Sequence, residues 1–213
     1  MPATTLIAGT CAPEFAGVRD AFADNFAHHN EVGAAVAVWV EGDLVVNLWG
    51  GSADAAGTRP WQQDTLASVY SGSKGLLSTC IHLLADRGEI DLDAPAKDYA
   101  PGLADVQVID GFDDSGEPIL RAPASEPTTK QLLLHTAGFG YDFFNEKYER
   151  LAREHGQPSI VTATRKALET PLLFDPGTQW EYGSNMDWAG QVIEGITGTT
   201  LGEAMRTRVL DPL

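Results

Sequence analysis

The chain has 213 residues, with 14 Lys and Arg against 30 Asp and Glu, for a formal net charge of −16. That acidic excess argues against nucleic acid and against anionic membrane surfaces as partners, since both select basic faces. A hydrophobic share of 43% and a charged share of 21% are ordinary for a soluble globular protein, large enough for one domain or two small ones.

The start, Met1-Pro-Ala-Thr-Thr-Leu-Ile-Ala-Gly-Thr-Cys11, has no basic n-region and no long apolar run, so it does not read as a signal peptide. No stretch approaches the roughly 18 apolar residues of a membrane span, and a cytoplasmic location is the expectation. Cys11 falls in a loose N-terminal segment. Residues 14–29 read as an amphipathic helix, because Phe15, Val18, Phe22 and Phe26 step by three or four. Residues 33–40 and 44–50 are β-rich runs parted by Glu41-Gly42-Asp43, which predicts a hairpin. A helix follows from about Ser71 to Arg87, stopped by Gly88. Its apolar set (Leu76, Leu77, Cys80, Ile81, Leu83, Leu84) covers most of its circumference, so it reads as central, with Cys80 a buried free thiol.

Beyond residue 90 breakers dominate. Residues 105–127 read as an exposed excursion with a small hairpin, and Asp113-Asp-Ser-Gly116 as a solvated turn, since the spacing of a calcium loop is absent. Helices are expected over residues 128–135, 159–169 and 185–196, and another from Leu201. Two short strands followed by a mainly helical stretch leave an unfinished pattern, because a lone hairpin cannot bury both faces. The division expected is 1–67 for a helix and hairpin and 68–213 for the helical region.

The chemistry concentrates at Ser71-Gly-Ser-Lys74. A serine hydroxyl is a poor nucleophile until a base sits beside it, and positions three apart on a helix share a face. A lysine one turn into an apolar helix can be desolvated and act as a neutral base. Alone the pair is weak evidence: nine Ser and five Lys give about 0.2 chance pairs per chain of this composition.

Three ordered stretches add the context. These are Ser71-Gly-Ser-Lys74 with Leu84-Ala-Asp-Arg-Gly-Glu-Ile-Asp-Leu-Asp-Ala-Pro95, then Leu132-Leu-Leu-His-Thr-Ala-Gly-Phe139, then Phe174-Asp-Pro-Gly-Thr-Gln-Trp-Glu-Tyr-Gly-Ser184. Together they resemble the serine β-lactamase and penicillin-binding-protein superfamily, in its class C-like branch, and within it the family VIII carboxylesterases. The resemblance implies an α/β, β-lactamase-like (DD-peptidase) fold, an antiparallel sheet flanked by helices plus a mainly helical domain. It implies Ser71 as nucleophile, Lys74 as its base partner and Tyr182 as proton shuttle, acting on small-molecule esters through an acyl-enzyme with no cofactor and no metal. A β-lactamase or D,D-peptidase, an acyltransferase, and a non-catalytic penicillin-binding-like sensor or scaffold are the alternatives.

Two departures matter. Where the class C enzymes carry Tyr-x-Asn, this chain has Tyr182-Gly-Ser184 with Asn185 one place late, which favours an esterase over recognition of a β-lactam or peptide amide. Members of the family also continue past the position of Leu213 with further strands. The chain therefore reads as the N-terminal part of such an enzyme, with the missing C-terminal part as its partner. Tyr141 and Ser184 are the candidate substrate-binding residues. His135 reads as a structural part of its loop, since no Gly-x-Ser-x-Gly elbow accompanies it.

Overall fold

In the computed structural model, which describes residues 6–213, the N-terminal segment is not loose. Ile7–Cys11 forms strand β1. A 3₁₀ turn at Pro13–Phe15 leads into helix α1 (Ala16–His28), and β2 (Gly33–Val40) and β3 (Asp43–Gly51) make the expected hairpin. β1 pairs antiparallel with the other edge of β3, Ile7 opposite Gly50 and Cys11 opposite Val46, so the order is β1-β3-β2. The sequence hides β1 because Gly9 sits inside it and reads as a breaker. In fact Gly9 has φ 102°, and a Cβ there would stand 2.0 Å from the Asn47 carbonyl oxygen. Close approach of two backbones selects glycine at that point. Residues 1–5, which open the stretch read as no signal peptide, lie outside the described residues.

This first unit, Met1–Ser68, has a small core of its own. Val46 and Leu48 alternate inward from β3 and meet Phe22 of α1, with Phe15, Val18 and Phe26 half-buried around them. The predicted stripe of α1 is the face that is covered.

The second unit, Val69–Leu213, is built on two apolar helices. A 3₁₀ turn at Tyr70–Gly72 opens into α2 (Ser73–Asp86), so the helix begins two residues later than Ser71. Leu77, Cys80, Ile81 and Leu84 of α2 are buried in one cluster with Leu132, Phe139 and the Ala189, Val192 and Ile193 face of a later helix. Cys80 is a free, fully buried thiol. Only one side of α2 is covered, however: Gly75, Thr79 and His82 are exposed. Leu76 and Leu83 are half-buried.

The 105–127 excursion is a hairpin, β4 (Val108–Phe112) with β5 (Pro118–Arg121). It is anchored rather than exposed throughout: Val108 and Ile109 are buried, and Ile109 packs with Tyr148 and Leu151. At its tip the Asp113 carboxylate accepts from the Ser115 and Glu117 N–H groups at 2.8 and 3.0 Å, a self-satisfied turn. Helix α3 (Thr129–Leu133) starts with a capping box between Thr128 and Gln131. Helix α4 (Glu146–His155) is absent from the sequence reading. It is mostly charged and buries only Tyr148 and Leu151, although Asn145 caps its start and Gly156 takes the left-handed conformation at its end. Conversely, residues 159–169 are not a helix. They break into 3₁₀ turns at Ile160–Thr162 and Arg165–Leu168, with Ala163 at φ 52° between them, where three β-branched residues in four disfavour continuation. Helix α5 (Asn185–Thr197) ends at Gly198 as expected, and α6 (Leu201–Met205) runs on into a π-turn. No helix among the described residues is long and apolar enough to cross a membrane.

One ion pair fixes the loop that leads to Tyr182. Arg121 grips Asp175 with two parallel bonds of 2.8 Å, and the Ala124 N–H donates to the same carboxylate at 2.8 Å. These contacts hold the Asp175 carboxyl down to about 2, the Arg121 bonds contributing most. Because the folded value is depressed, the stabilisation is present above the ordinary aspartate range and is lost as pH falls toward about 2. Asp175→Asn is expected to flatten the acid dependence of the unfolding midpoint between about pH 4 and pH 2, measured by urea titration at each pH. An unchanged acid slope would show the pair to be idle.

Candidate active site

The turn Tyr70–Gly72 holds Ser71 at the amino end of α2. The Gly72 N–H donates to the Val69 carbonyl at 2.8 Å, and Ser73 Oγ donates to the Tyr70 carbonyl at 2.6 Å. Tyr70 itself lies at φ 43°, a region that costs a non-glycine residue on the order of 1–3 kcal/mol. Strain of that kind immediately before an exposed serine is the mark of a side chain held at a fixed angle. The Ser71 N–H sits at the positive end of the helix dipole, where a developing oxyanion is favoured.

Two donors from distant parts of the unit converge on this serine. Lys74 Nζ donates to Ser71 Oγ at 3.0 Å, and the Tyr182 hydroxyl, 111 residues away in sequence, donates to the same oxygen at 2.9 Å. Lys74 Nζ also lies 5.3 Å from the Tyr182 ring centroid. The Tyr182 hydroxyl is held below the usual phenol range, first by its bond to Ser71 and then by Lys74, while Asp187 pulls the other way. Lys74 is half-buried on α2, with Ser71, the Tyr182 ring and the charge of Asp187 around it.

Asp187 is the site residue that sequence reasoning missed. It stands in the first turn of α5, half-buried between buried Met186 and Trp188. Burial raises its carboxyl above the ordinary carboxylate range, and Lys74 lowers it in part. The available signal was an acid five residues after Tyr182, in the first turn of a helix with a strong apolar face.

Tyr141 is 8% exposed, edge-on to the Tyr182 ring at 5.5 Å and stacked on Phe143 at 5.0 Å. Burial pushes its hydroxyl well above the usual phenol range. It is placed to brace Tyr182. Ser184 is 3% exposed at the start of α5 and borders a small enclosed space with Tyr141, Tyr148 and Thr170. Asn185 is fully buried, its Nδ2 donating to the Phe139 and Glu181 carbonyls at 2.8 and 3.3 Å, so its amide serves the fold. His135 stands against Tyr182 with ring centroids 4.8 Å apart. Phe139 and Trp188 are core residues, whereas Phe143, Phe144 and Trp180 are exposed. Among the described residues no group of three His, Cys, Asp or Glu side chains is gathered as a metal site would need.

Residues 18–213 match the family model described as Beta-lactamase. Monacolin J acid methylbutanoyltransferase of Aspergillus terreus (strain NIH 2624 / FGSC A1156) is 36% identical over 156 residues, which is 72% of this chain and 38% of that protein. The solved structure of unliganded Simvastatin Synthase (LovD) from Aspergillus terreus is similar at TM-score 0.80 and 30% identity, over 95% of this chain and 53% of that one. That of a family VIII carboxylesterase is similar at TM-score 0.68 and 36% identity, over 97% and 51%. The chain thus spans about half the length of these solved relatives and less of the curated one. With a strained serine turn, a lysine one helical turn on, and a family match running from Val18 to Leu213, the chain belongs to the Beta-lactamase family and has the β-lactamase-like fold.

Proposed function

We propose that this chain supplies the nucleophile and proton-handling groups of a serine carboxylesterase acting on small esters. The observation that carries the reading is the meeting of Lys74 Nζ and the Tyr182 hydroxyl on one oxygen, Ser71 Oγ, at 3.0 and 2.9 Å. In its ionised form Tyr182 takes the Ser71 proton as Oγ attacks the ester carbonyl. The oxyanion forms near the Ser71 N–H and the positive end of α2. Collapse expels the alkoxide, which leaves as the alcohol with the proton carried by Tyr182. Water then attacks the acyl-enzyme, Tyr182 again accepting and returning a proton, and the acid leaves. Lys74 Nζ, which bonds Ser71 Oγ and lies over the Tyr182 ring, lowers the energy of the ionised phenol.

The inward-turned Asn185 amide supports an ester over a β-lactam, because a buried Nδ2 already committed to two carbonyls has no donor left for a substrate amide. A second reading has its own support. A relative named as a methylbutanoyltransferase favours an acyl-enzyme that passes its acyl group to an alcohol instead of water. The two readings share every step up to the acyl-enzyme. With short-chain p-nitrophenyl esters the protein is expected to release p-nitrophenol matched by free acid, with nitrocefin turned over at least about tenfold more slowly. Acyl recovered chiefly on an added alcohol would move the assignment to a transferase. No p-nitrophenol release and no fluorophosphonate label would leave a binding protein.

A further inference from the structure

We propose that His135 is a positioning residue for Tyr182. As a neutral imidazole it fastens the loop carrying the phenol through its Nδ1 lone pair, and its protonation lets that loop go. The inference rests on Tyr182 acting on Ser71.

Both neighbours of Tyr182 are held by His135. The Glu181 N–H donates to the His135 carbonyl at 3.0 Å, and the Gly183 N–H donates to His135 Nδ1 at 3.4 Å. Asn185 Nδ2 lies 3.3 Å from the same ring nitrogen. The orientation of that amide is fixed, since the same Nδ2 faces the Phe139 and Glu181 carbonyls, which only accept. The two hydrogens of that amide are already directed at the carbonyls, so the donor to Nδ1 is the Gly183 N–H, which makes Nδ1 the acceptor and puts the ring proton on Nε2. The ring then lies at 36° to that of Tyr182 with centroids 4.8 Å apart, and faces Trp180 at 6.3 Å.

His135 sits at φ 57° as the left-handed residue that ends α3, its N–H donating to the Leu132 carbonyl at 3.2 Å and the Thr136 N–H to that of Gln131 at 2.9 Å. That turn sets the direction in which the residue faces. Here its carbonyl, ring nitrogen and ring face all bear on residues 181–183.

Protonation would place an N–H at Nδ1 against the Gly183 N–H and the Asn185 amide nitrogen, and add a cation near Lys74. Burial, and then the Lys74 ammonium, hold the imidazole below its ordinary range. The charged and titratable groups around it are Lys74 from α2, Glu181 and Tyr182 from the loop it fastens, and Asp187 from α5, whose charge acts on Lys74 and Tyr182. The fold therefore favours the neutral ring. That contribution is complete above the ordinary imidazole range and is lost as pH falls through the lowered folded value. Activity then falls twice on acidification, once as Tyr182 takes up its own proton and again as the loop is released.

The test has two arms. In the first, the rate of fluorophosphonate labelling at Ser71 is followed against pH for the protein and for His135→Asn, a residue that tolerates the left-handed region and does not titrate. The wild-type log rate is expected to steepen from a slope of one to a slope of two on the acid side. His135→Asn keeps a slope of one and loses about tenfold at the plateau. A slope of two that survives the substitution overturns the proposal. In the second arm, ¹⁵N NMR of the wild-type imidazole is expected to show the proton on Nε2 and titration below the ordinary value. A proton on Nδ1, or titration at or above that value, overturns it whatever the labelling shows. Failure of wild-type Ser71 to label at every pH would instead remove the catalytic reading, and the NMR arm would then decide the loop claim by itself.

Discussion

Ser71→Ala abolishes fluorophosphonate labelling and lowers ester turnover by about 10⁴-fold or more, because no other oxygen stands where Lys74 Nζ and the Tyr182 hydroxyl meet. Tyr182→Phe is the sharper experiment. The phenylalanine keeps the ring that packs against His135 and Tyr141, so the loop and its neighbours lose little. Only the hydroxyl that carries the proton is gone, and kcat falls by about 10²–10⁴. The double variant is expected to be no worse than Ser71→Ala alone, since the two groups act in one step. Should Tyr182→Phe retain turnover within about threefold, the proton carrier is some other group and the scheme above is wrong. The measurement is steady-state hydrolysis of a p-nitrophenyl ester, with circular dichroism confirming that each variant is folded.

The parts of this molecule legible in sequence are those whose signal is local. α5 shows its apolar period and its terminal glycine, and α1 its phenylalanine stripe. The β2–β3 hairpin shows its alternation and its turn. The convergence on Ser71 Oγ was legible differently. Lys74 follows from helical spacing, but Tyr182 lies 111 residues away and only the ordered motifs of a family point to it. What escaped notice has physical reasons. β1 contains a glycine that serves a close backbone approach, so it reads as a break. α4 owes its existence to caps at Asn145 and Gly156 and to two buried residues, Tyr148 and Leu151, among charged ones, which gives little apolar pattern. Asp187 and the ring nitrogen of His135 matter through what the fold sets beside them. Neither residue type announces that from its place in the chain. The start of α2 is misread for a related reason: Ser71 has the look of a helix cap, while the strained Tyr70 and the 3₁₀ turn set it just ahead of the helix.

The tightest link between fold and chemistry passes through a glycine pair. At Gly183, next to Tyr182, an added Cβ would lie 2.3 Å from the Phe139 carbonyl oxygen and 2.4 Å from the Gly140 Cα. Both obstacles are backbone, so no side chain can rotate out of the way. One strand of chain must move, and both choices damage the site. Moving residues 139–140 disturbs Phe139, which is fully buried, and the carbonyl that accepts from Asn185. Moving residue 183 shifts Tyr182 and stretches the contact with His135 Nδ1. Gly183→Ala is therefore expected to cost about 1–3 kcal/mol of stability or more from overpacking. It should also cost about 10²-fold in kcat, because a displacement near an ångström is enough to spoil a proton-transfer geometry. Gly202→Ala is the matched control. Nothing lies within 4 Å of a Cβ there, and the residue sits inside α6, so alanine should leave turnover unchanged and add about 0.5–1 kcal/mol. Urea midpoints and ester turnover measured on the pair decide the matter. If Gly183→Ala behaves like Gly202→Ala, residues 139–140 and 183 are not packed backbone against backbone, and Tyr182 owes its place to something else.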